Sequence, residues 1–308
     1  MLGAKRDPIV NLRGEPAHVG RHCGANRYQL DADMVAFYAD ALDDHHPLQS
    51  DYAPPLILHS ECFRFVGDWY LKNLFGNLHA RQDWEFFAPI PIGSRVRTRS
   101  TIVERYEKRG RDYVVNETDV LSDDDGRLLV RGRTHQSFLP PSTRIDTDYV
   151  VDGAHAAEKE RRAGRPPFPT ASGRELEPVT VKIDRRRCWM FSGPEPNYHT
   201  DADEARKLGF PNIVVQGMMT TCFVSTVMQR EFGMGWLVGG RMSAKLINVT
   251  WVDETTTCRA RIREEVPEGS QTRVHCDVWV EKEPAGDGDP GELGDPIRTL
   301  IGRASALL

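Results

Sequence analysis

The segment 217–233, "GMMTTCFVSTVMQREFG", sets the strongest limit on how this chain can fold. On a helix, its large apolar side chains cover nearly every side: Met218, Met219, Cys222, Phe223, Val224, Val227, Met228 and Phe232. A helix that is apolar all round is buried in a core and does not lie on a surface. The rest of the chain therefore has to supply a wall that surrounds this helix.

The segments that follow have the two-residue period of β-strands. Apolar and polar side chains alternate in "CRARIREEV" (258–266) and in "RVHCDVWVEK" (273–282). This period indicates long antiparallel strands with one face buried and the other in water. Arg259, Arg261 and Arg263 fall on the face in water.

Both halves of the chain have the same order of parts. In the second half, the strand "PVTVKID" leads through a turn-rich segment to a short helix, 203–208, which Thr200 or Asp201 caps and Gly209 ends. The buried helix and three strands follow. In the first half, the order is a helix in "MVAFYADAL", the turn "DDHHPLQ", a helix in "SECFRFVGDWYLKNLFG" (60–76) and then strands. This repeat predicts two copies of one α+β unit.

The stretch between the copies is rich in proline and charge, which disfavours regular structure apart from a short helix at about 154–162. We therefore divide the chain into an N-terminal domain (1–140), a linker (141–178) and a C-terminal domain (179–308). A long helix wrapped by a curved antiparallel sheet describes the hot dog fold. The predicted fold class is α+β, a double hot dog with Gly217–Phe232 as a central helix and one sheet shared by both halves.

Composition narrows the functional classes. A net charge of −5 gives no reason to expect nucleic-acid binding. The six cysteines form no CxxC pair, which favours free buried thiols in a reducing compartment. The first residues lack the apolar stretch of a signal peptide, and no apolar run is long enough to span a bilayer. We expect a cytoplasmic protein that does not enter membranes.

A more specific pattern lies in "SGPEPNYHTDADEARKLGFPNIVVQGMM", residues 192–219. It resembles the signature of the MaoC-like, or R-specific enoyl-CoA hydratase, family. The positions in register are Ser192, Gly193, His199, Asp201, Ala205, Gly209, Phe210, Gly217 and Met218. The first half resembles the degenerate N-terminal domain of two-domain members, above all in "LHARQDWEFFAPIPIGSRVRTR" (78–99).

The sequence departs from that signature at its reactive centre. The family's catalytic aspartate falls on Pro194, its asparagine falls on Pro196, and Asn197 takes the place of its proline. In the family, an aspartate and a histidine act as an acid–base pair on the water that adds to the enoyl double bond. Proline transfers no proton. At an offset of 150 residues, the first half instead places Asp44 at the aspartate position and Gln49 at the histidine position.

The resemblance implies catalytic roles for a few residues. His199 is the expected general base or acid, and Gly217 at the start of the buried helix is the expected oxyanion donor to a thioester carbonyl. Glu195, held between two prolines, is the nearest carboxylate to the missing aspartate, and Tyr198 offers a hydroxyl beside the histidine. Each has an ordinary alternative: a turn anchor, a helix start, a solvated loop glutamate or a packed ring.

Other residues are predicted to contact the substrate. Asn197 could orient water or substrate, and Gln216, just before the glycine, could bond the histidine. Met218, Met219 and Phe223 could shape an acyl tunnel, although side chains on such a helix are often only core. We expect no metal, since His45 and His46 diverge as neighbours and no HExxH-type spacing supports them. We also expect no separate cofactor.

The leading function is hydration of an enoyl thioester or the reverse dehydration, on coenzyme A or on an acyl carrier protein. A hot dog thioesterase, with Glu195 directing water to the thioester carbonyl, is the alternative enzyme. A non-catalytic acyl-thioester-binding subunit is the alternative outside catalysis. Hot dog units close by pairing their sheets, so a single chain with two units can already mimic a dimer, and a further homodimer is the oligomeric state that we predict beyond it.

Overall fold

The computed structural model describes residues 19–64, 78–108, 111–138, 173–283 and 295–308. The strands in these ranges are β1 His22–Gln29, β2 Tyr52–Ala53, β3 Leu78–Phe86, β4 Ile90–Pro91, β5 Arg95–Lys108, β6 Arg111–Ser122, β7 Leu128–Phe138, β8 Val179–Lys182, β9 Arg241–Leu246, β10 Thr255–Glu268, β11 Gln271–Lys282 and β12 Ile297–Leu307. The helices are α1 Ala32–Leu42, α2 Glu61–Arg64, α3 Arg185–Ser192, α4 Ala202–Lys207, α5 Gly217–Phe232 and α6 Met234–Gly239, with a 3-10 turn at Pro47–Ser50.

One antiparallel sheet of ten strands runs through both halves, in the order β1-β5-β6-β7-β3-β9-β12-β11-β10-β8. The first five strands in this order come from the first half. The other five come from the second half, and their equivalent strands follow in the reverse order. The halves meet where β3 pairs with β9, with Gln82 opposite Ala244 and Trp84 opposite Met242. The predicted repeat and the predicted continuous sheet are both confirmed.

Helix α5 begins and ends at the predicted residues. It lies on the inner face of the sheet against β10, β11 and β12. Met218 and Met219 are fully buried, and Phe223 is 1% exposed. Burying a side chain of this size stabilises the fold by about 1.5–3 kcal/mol. All six cysteines are free and five of them are buried, as the sequence predicts.

The segment before the candidate site is more regular than its sequence suggests. We expected a turn-rich stretch after β8, but Asp184 caps helix α3 by accepting a hydrogen bond from the Arg187 N–H. Cys188 and Phe191 anchor this helix in the core, and Arg187 donates to the carbonyl of Asp40 in α1. Helix α3 therefore delivers Ser192 to a fixed place at the entry of the next turn.

The short helix α4 agrees with its prediction to within one residue at each end. Asp201 caps it by accepting from the N–H groups of Asp203 and Glu204, and Gly209 follows in the left-handed region at φ 80°. This cap also ends the turn that carries the candidate residues.

Two further predictions concern segments that are only partly described. The expected first-half helix, 60–76, begins as α2, and the rest lies outside the described residues, as does the expected helix near 154–162. The last residues of the predicted linker pack on the second half. Leu176 is 2% exposed, and the Glu175 carboxylate binds Arg259 and Arg261 of β10.

Candidate active site

The turn between α3 and α4 is held together by Asn197. Its side-chain oxygen accepts from the His199 N–H at 2.8 Å. Its amide nitrogen donates to the carbonyls of Ser192 and Glu195, both at 2.9 Å. Because both ends of the amide bind backbone, Asn197 shapes the turn and presents His199. Its predicted contact with water or substrate stays a prediction.

His199 is half-buried with a defined tautomer. Its Nδ1 lies 2.7 Å from the Val214 carbonyl oxygen. Since a carbonyl only accepts, Nδ1 carries the hydrogen and Nε2 keeps its lone pair. Burial lowers the pKa of His199 to about 4, against the opposing effect of the Val214 hydrogen bond. At neutral pH, the ring is an uncharged base whose Nε2 has no hydrogen-bond partner in the described part of the chain.

Tyr198 packs against its neighbours. Its ring lies 3.9 Å from the His199 ring and 5.9 Å from the Phe210 ring, centroid to centroid. Burial raises the pKa of Tyr198 to about 12, so its hydroxyl stays protonated. Tyr198 thus limits the movement of the His199 ring.

The residue at the position of the signature's aspartate and the residue after it both face solvent. Pro194 and Glu195 are both exposed. The Glu195 carbonyl accepts from Asn197 and Thr200, whereas its carboxylate has no hydrogen-bond partner among the described residues. The role of Glu195 as partner of His199 therefore stays a prediction, and it would require the side chain to turn inward.

The start of α5 lies beside this turn. Ser192 Oγ donates to Gln216 Oε1 at 3.4 Å, and Gln216 does not cap the helix with its side chain. The Met219 N–H binds the Gln216 carbonyl, which leaves the N–H groups of Gly217 and Met218 without an acceptor in the described part of the chain. A helix N-terminus with free N–H groups favours negative charge on a ligand.

Gly217 also has a packing reason to be glycine. A Cβ at this position would lie 2.5 Å from Leu246 Cδ1. Leu246 is the last residue of β9, so the start of the helix packs against the strand that pairs with the first half. Met218, Met219 and Phe223 are buried in the core just beyond it, and their predicted part in an acyl tunnel stays a prediction.

The equivalent turn of the first half is closed by α5. The Asp44 side chain is buried and accepts from Thr226 Oγ1 at 3.0 Å, with Arg230 at 3.7 Å. Burial raises the pKa of Asp44, while Thr226 and Arg230 oppose the change. The buried amide nitrogen of Gln49 has no hydrogen-bond partner among the residues that the structure describes. Asp44 thus binds the far half of α5 and does not form a pair with His199.

Sequence reasoning missed His79 and Gln82 of β3. His79 Nε2 lies 3.1 Å from Gln82 Oε1, and the charge of His199 is one of the smaller influences that lower the pKa of His79. The pairing of β3 with β9 places this end of the first half beside the second half. The sequence carried no signal for it beyond the break in alternation at "LHARQ".

Three neutral histidines predict sensitivity to acid. Burial lowers the pKa values of His59, His79 and His199 to about 4, whereas an unfolded histidine titrates near 6.5. The unfolded chain therefore takes up protons first, and stability is lost as pH falls from 6.5 towards 4. Each histidine contributes up to about 1.4 kcal/mol per pH unit.

Urea unfolding midpoints between pH 7.5 and 5 measure this loss. Protonation of Asp44 has the opposite effect on stability, because its pKa in the folded chain is raised. The His59→Phe variant is therefore the control that isolates the contribution of one histidine. His59 stacks on Phe191 at 4.0 Å, and phenylalanine keeps that contact without the titrating group. We expect the variant to lose less stability on acidification than the unchanged protein, and equal pH dependence would contradict the prediction.

Among the described residues, no three potential metal-ligand side chains come together. Each helix of the described part is too short or too polar to cross a bilayer.

Searches by sequence and by structure gave different results. No protein-family model matches the sequence, and no curated protein matches it. A solved MaoC-like dehydratase is 17% identical, covers 94% of this chain and 98% of its own length, and has a TM-score of 0.67. A MaoC-like dehydratase from Phytophthora capsici is 15% identical, with coverages of 94% and 96% and a TM-score of 0.62.

A third structure identifies the architecture. A Mycobacterium tuberculosis protein described as having a double hotdog fold is 12% identical, with coverages of 94% and 96% and a TM-score of 0.60. The present chain is a double hot dog protein. Its fold is that of the MaoC-like dehydratases, which confirms the resemblance predicted from residues 192–219 at the level of the fold.

Proposed function

We propose that this protein is a hydratase or dehydratase of acyl thioesters, converting an enoyl thioester and water to a 3-hydroxyacyl thioester or catalysing the reverse. The observation that carries the proposal is an uncharged His199 beside the start of α5, where no described residue bonds Nε2 of the histidine or the first N–H groups of the helix. Addition of water to a conjugated thioester needs a base and an oxyanion donor in one site. The fold shared with MaoC-like dehydratases supports the same reaction class.

The proposed hydration uses these two groups in sequence. His199 Nε2 takes a proton from water as the water oxygen bonds to the β-carbon. The electron pair of the double bond moves towards the thioester carbonyl, and the Gly217 N–H stabilises the negative oxygen. The proton on His199 then passes to the α-carbon, which restores the neutral imidazole. Dehydration follows the same steps backwards.

The test is an assay of the full chain with 2-enoyl-CoA thioesters of several chain lengths. We expect loss of enoyl absorbance without release of free thiol. Thiol release would indicate the thioesterase instead. Binding measured by calorimetry without either change would indicate a non-catalytic subunit. Repeating the assay with acyl carrier protein thioesters distinguishes the two carriers.

A further inference from the structure

A β-bulge in β3 turns His79 onto the inner face of the sheet. His79 pairs with Gln136 of β7 while Arg81 pairs with His135, so Ala80 is the extra residue. Without a bulge, His79 would share the outer face with Arg81, which bonds Asp83 there at 2.8 Å. The His79 ring instead bonds Gln82 and meets the Phe63 ring of α2 edge-on at 5.3 Å. Bulges of this kind often re-aim a side chain at a functional site.

Gln82 fixes which nitrogen of His79 is free. Gln82 is fully buried, its Nε2 donates to the Asp83 carbonyl, and its Oε1 accepts from Thr134 Oγ1. Because Oε1 can only accept, His79 Nε2 is the hydrogen-bond donor and His79 Nδ1 carries the lone pair. A buried glutamine thus locks the imidazole in one tautomer.

The position of β3 brings this ring to the helix start. Arg81 pairs with Lys245 of β9, so His79 lies at the end of β3 that faces the last residue of β9, Leu246. Leu246 contacts Gly217, and the Val214 carbonyl that binds His199 lies three residues before that glycine. The electrostatic effect of His199 on His79 agrees with this placement.

We propose that His79, supplied by the first half of the chain, holds the reacting water together with His199 and so takes the place of the carboxylate that Pro194 excludes. The inference rests on the proposed function. Sequence reasoning assigned this role to Glu195, which is exposed, whereas His79 is already held on the inner face by its bond to Gln82.

The chemistry needs no further reactant. Water donates one hydrogen to His199 Nε2, which removes it as a proton when the water oxygen bonds to the β-carbon. The other hydrogen of the water is held by His79 Nδ1 and stays on oxygen, becoming the hydroxyl of the product. With its two hydrogens held by the two histidines, the water points an oxygen lone pair in a fixed direction. Loss of such positioning can cost about 10²-fold in rate.

The experiment compares two substitutions of His79 on an enoyl-CoA substrate that the unchanged protein hydrates. His79→Phe keeps the ring contact with Phe63 but removes the acceptor, and we expect kcat to fall by about 10²-fold with a much smaller change in KM. His79→Asn places an amide oxygen near the position of Nδ1, and we expect it to retain activity to within about 10-fold.

Two controls distinguish this role from a structural one. His275→Phe makes the same change in β11, where His275 lines a groove with Arg241 and Arg303 on the outer face, and activity should be unchanged. Glu195→Gln should lose less than about 10-fold, below the range for removing a proton-transfer group.

A fully active His79→Phe variant, failure of His79→Asn to rescue, or a large loss in Glu195→Gln alone would overturn the proposal and leave the hydratase function standing. Absence of turnover in the unchanged protein would refute the function itself.

Discussion

Replacing His199 with alanine is expected to lower kcat by about 10²–10⁴-fold, the range for removal of a general base or acid. The expectation follows from the tautomer. The Val214 carbonyl holds Nδ1–H, and burial keeps the ring neutral, so Nε2 is a free base at neutral pH. Binding of the thioester should persist, because the N–H groups at the start of α5 are unchanged.

His199→Asn is the control that separates catalysis from turn anchoring. An asparagine amide can donate to the Val214 carbonyl in place of Nδ1–H, but it provides no base at the position of Nε2. We expect this variant to unfold at the same urea concentration as the unchanged protein and to be as inactive as His199→Ala. An active asparagine variant would show that His199 serves only to anchor the turn.

The features that sequence reasoning predicted well are those set by periodicity. Helix α5 was predicted to the residue because its all-round apolar surface admits only a buried helix, and Gly233 marks its end. The alternating segments became β10 and β11, and the repeat became two five-strand halves of one sheet. These properties depend on local pattern and on burial, and both can be read along the chain.

The features that it missed depend on contacts between distant residues. Helix α3 has three arginines in its first turn and little apolar period, and it forms because Asp184 caps it and Cys188 and Phe191 pack inward. His79 reaches the inner face only through a bulge whose register is set by β7. Nothing near the motif in the sequence indicates a side chain that lies about 120 residues earlier.

Asn197 and Asp44 show a related limit. Residue types alone predicted a free amide at Asn197 and a relic site around Asp44, because they do not show which polar groups are already bonded. In the folded chain, the Asn197 amide is used by the turn, and the Asp44 carboxylate is covered by α5. Which polar groups the fold already uses follows only from three-dimensional contacts.

Gly217 is the second position where a large effect is expected. Proline at this position removes the backbone N–H, and loss of one oxyanion donor costs about 10²–10³-fold in kcat. The backbone accommodates the change, because proline is favoured at the first position of a helix. Gln216 already has φ −61° and ψ 123°, in the extended region that precedes proline.

Gly217→Ala is the matched control for this substitution. Both variants add a Cβ that would lie 2.5 Å from Leu246 Cδ1, so both require the same movement of a flexible side chain, but alanine keeps the N–H. We expect Gly217→Ala to retain activity to within about 10-fold and Gly217→Pro to lose at least ten times more. Circular dichroism and urea unfolding should show that both variants are folded. Equal losses in the two variants would assign the effect to Leu246 and would remove Gly217 from the oxyanion site.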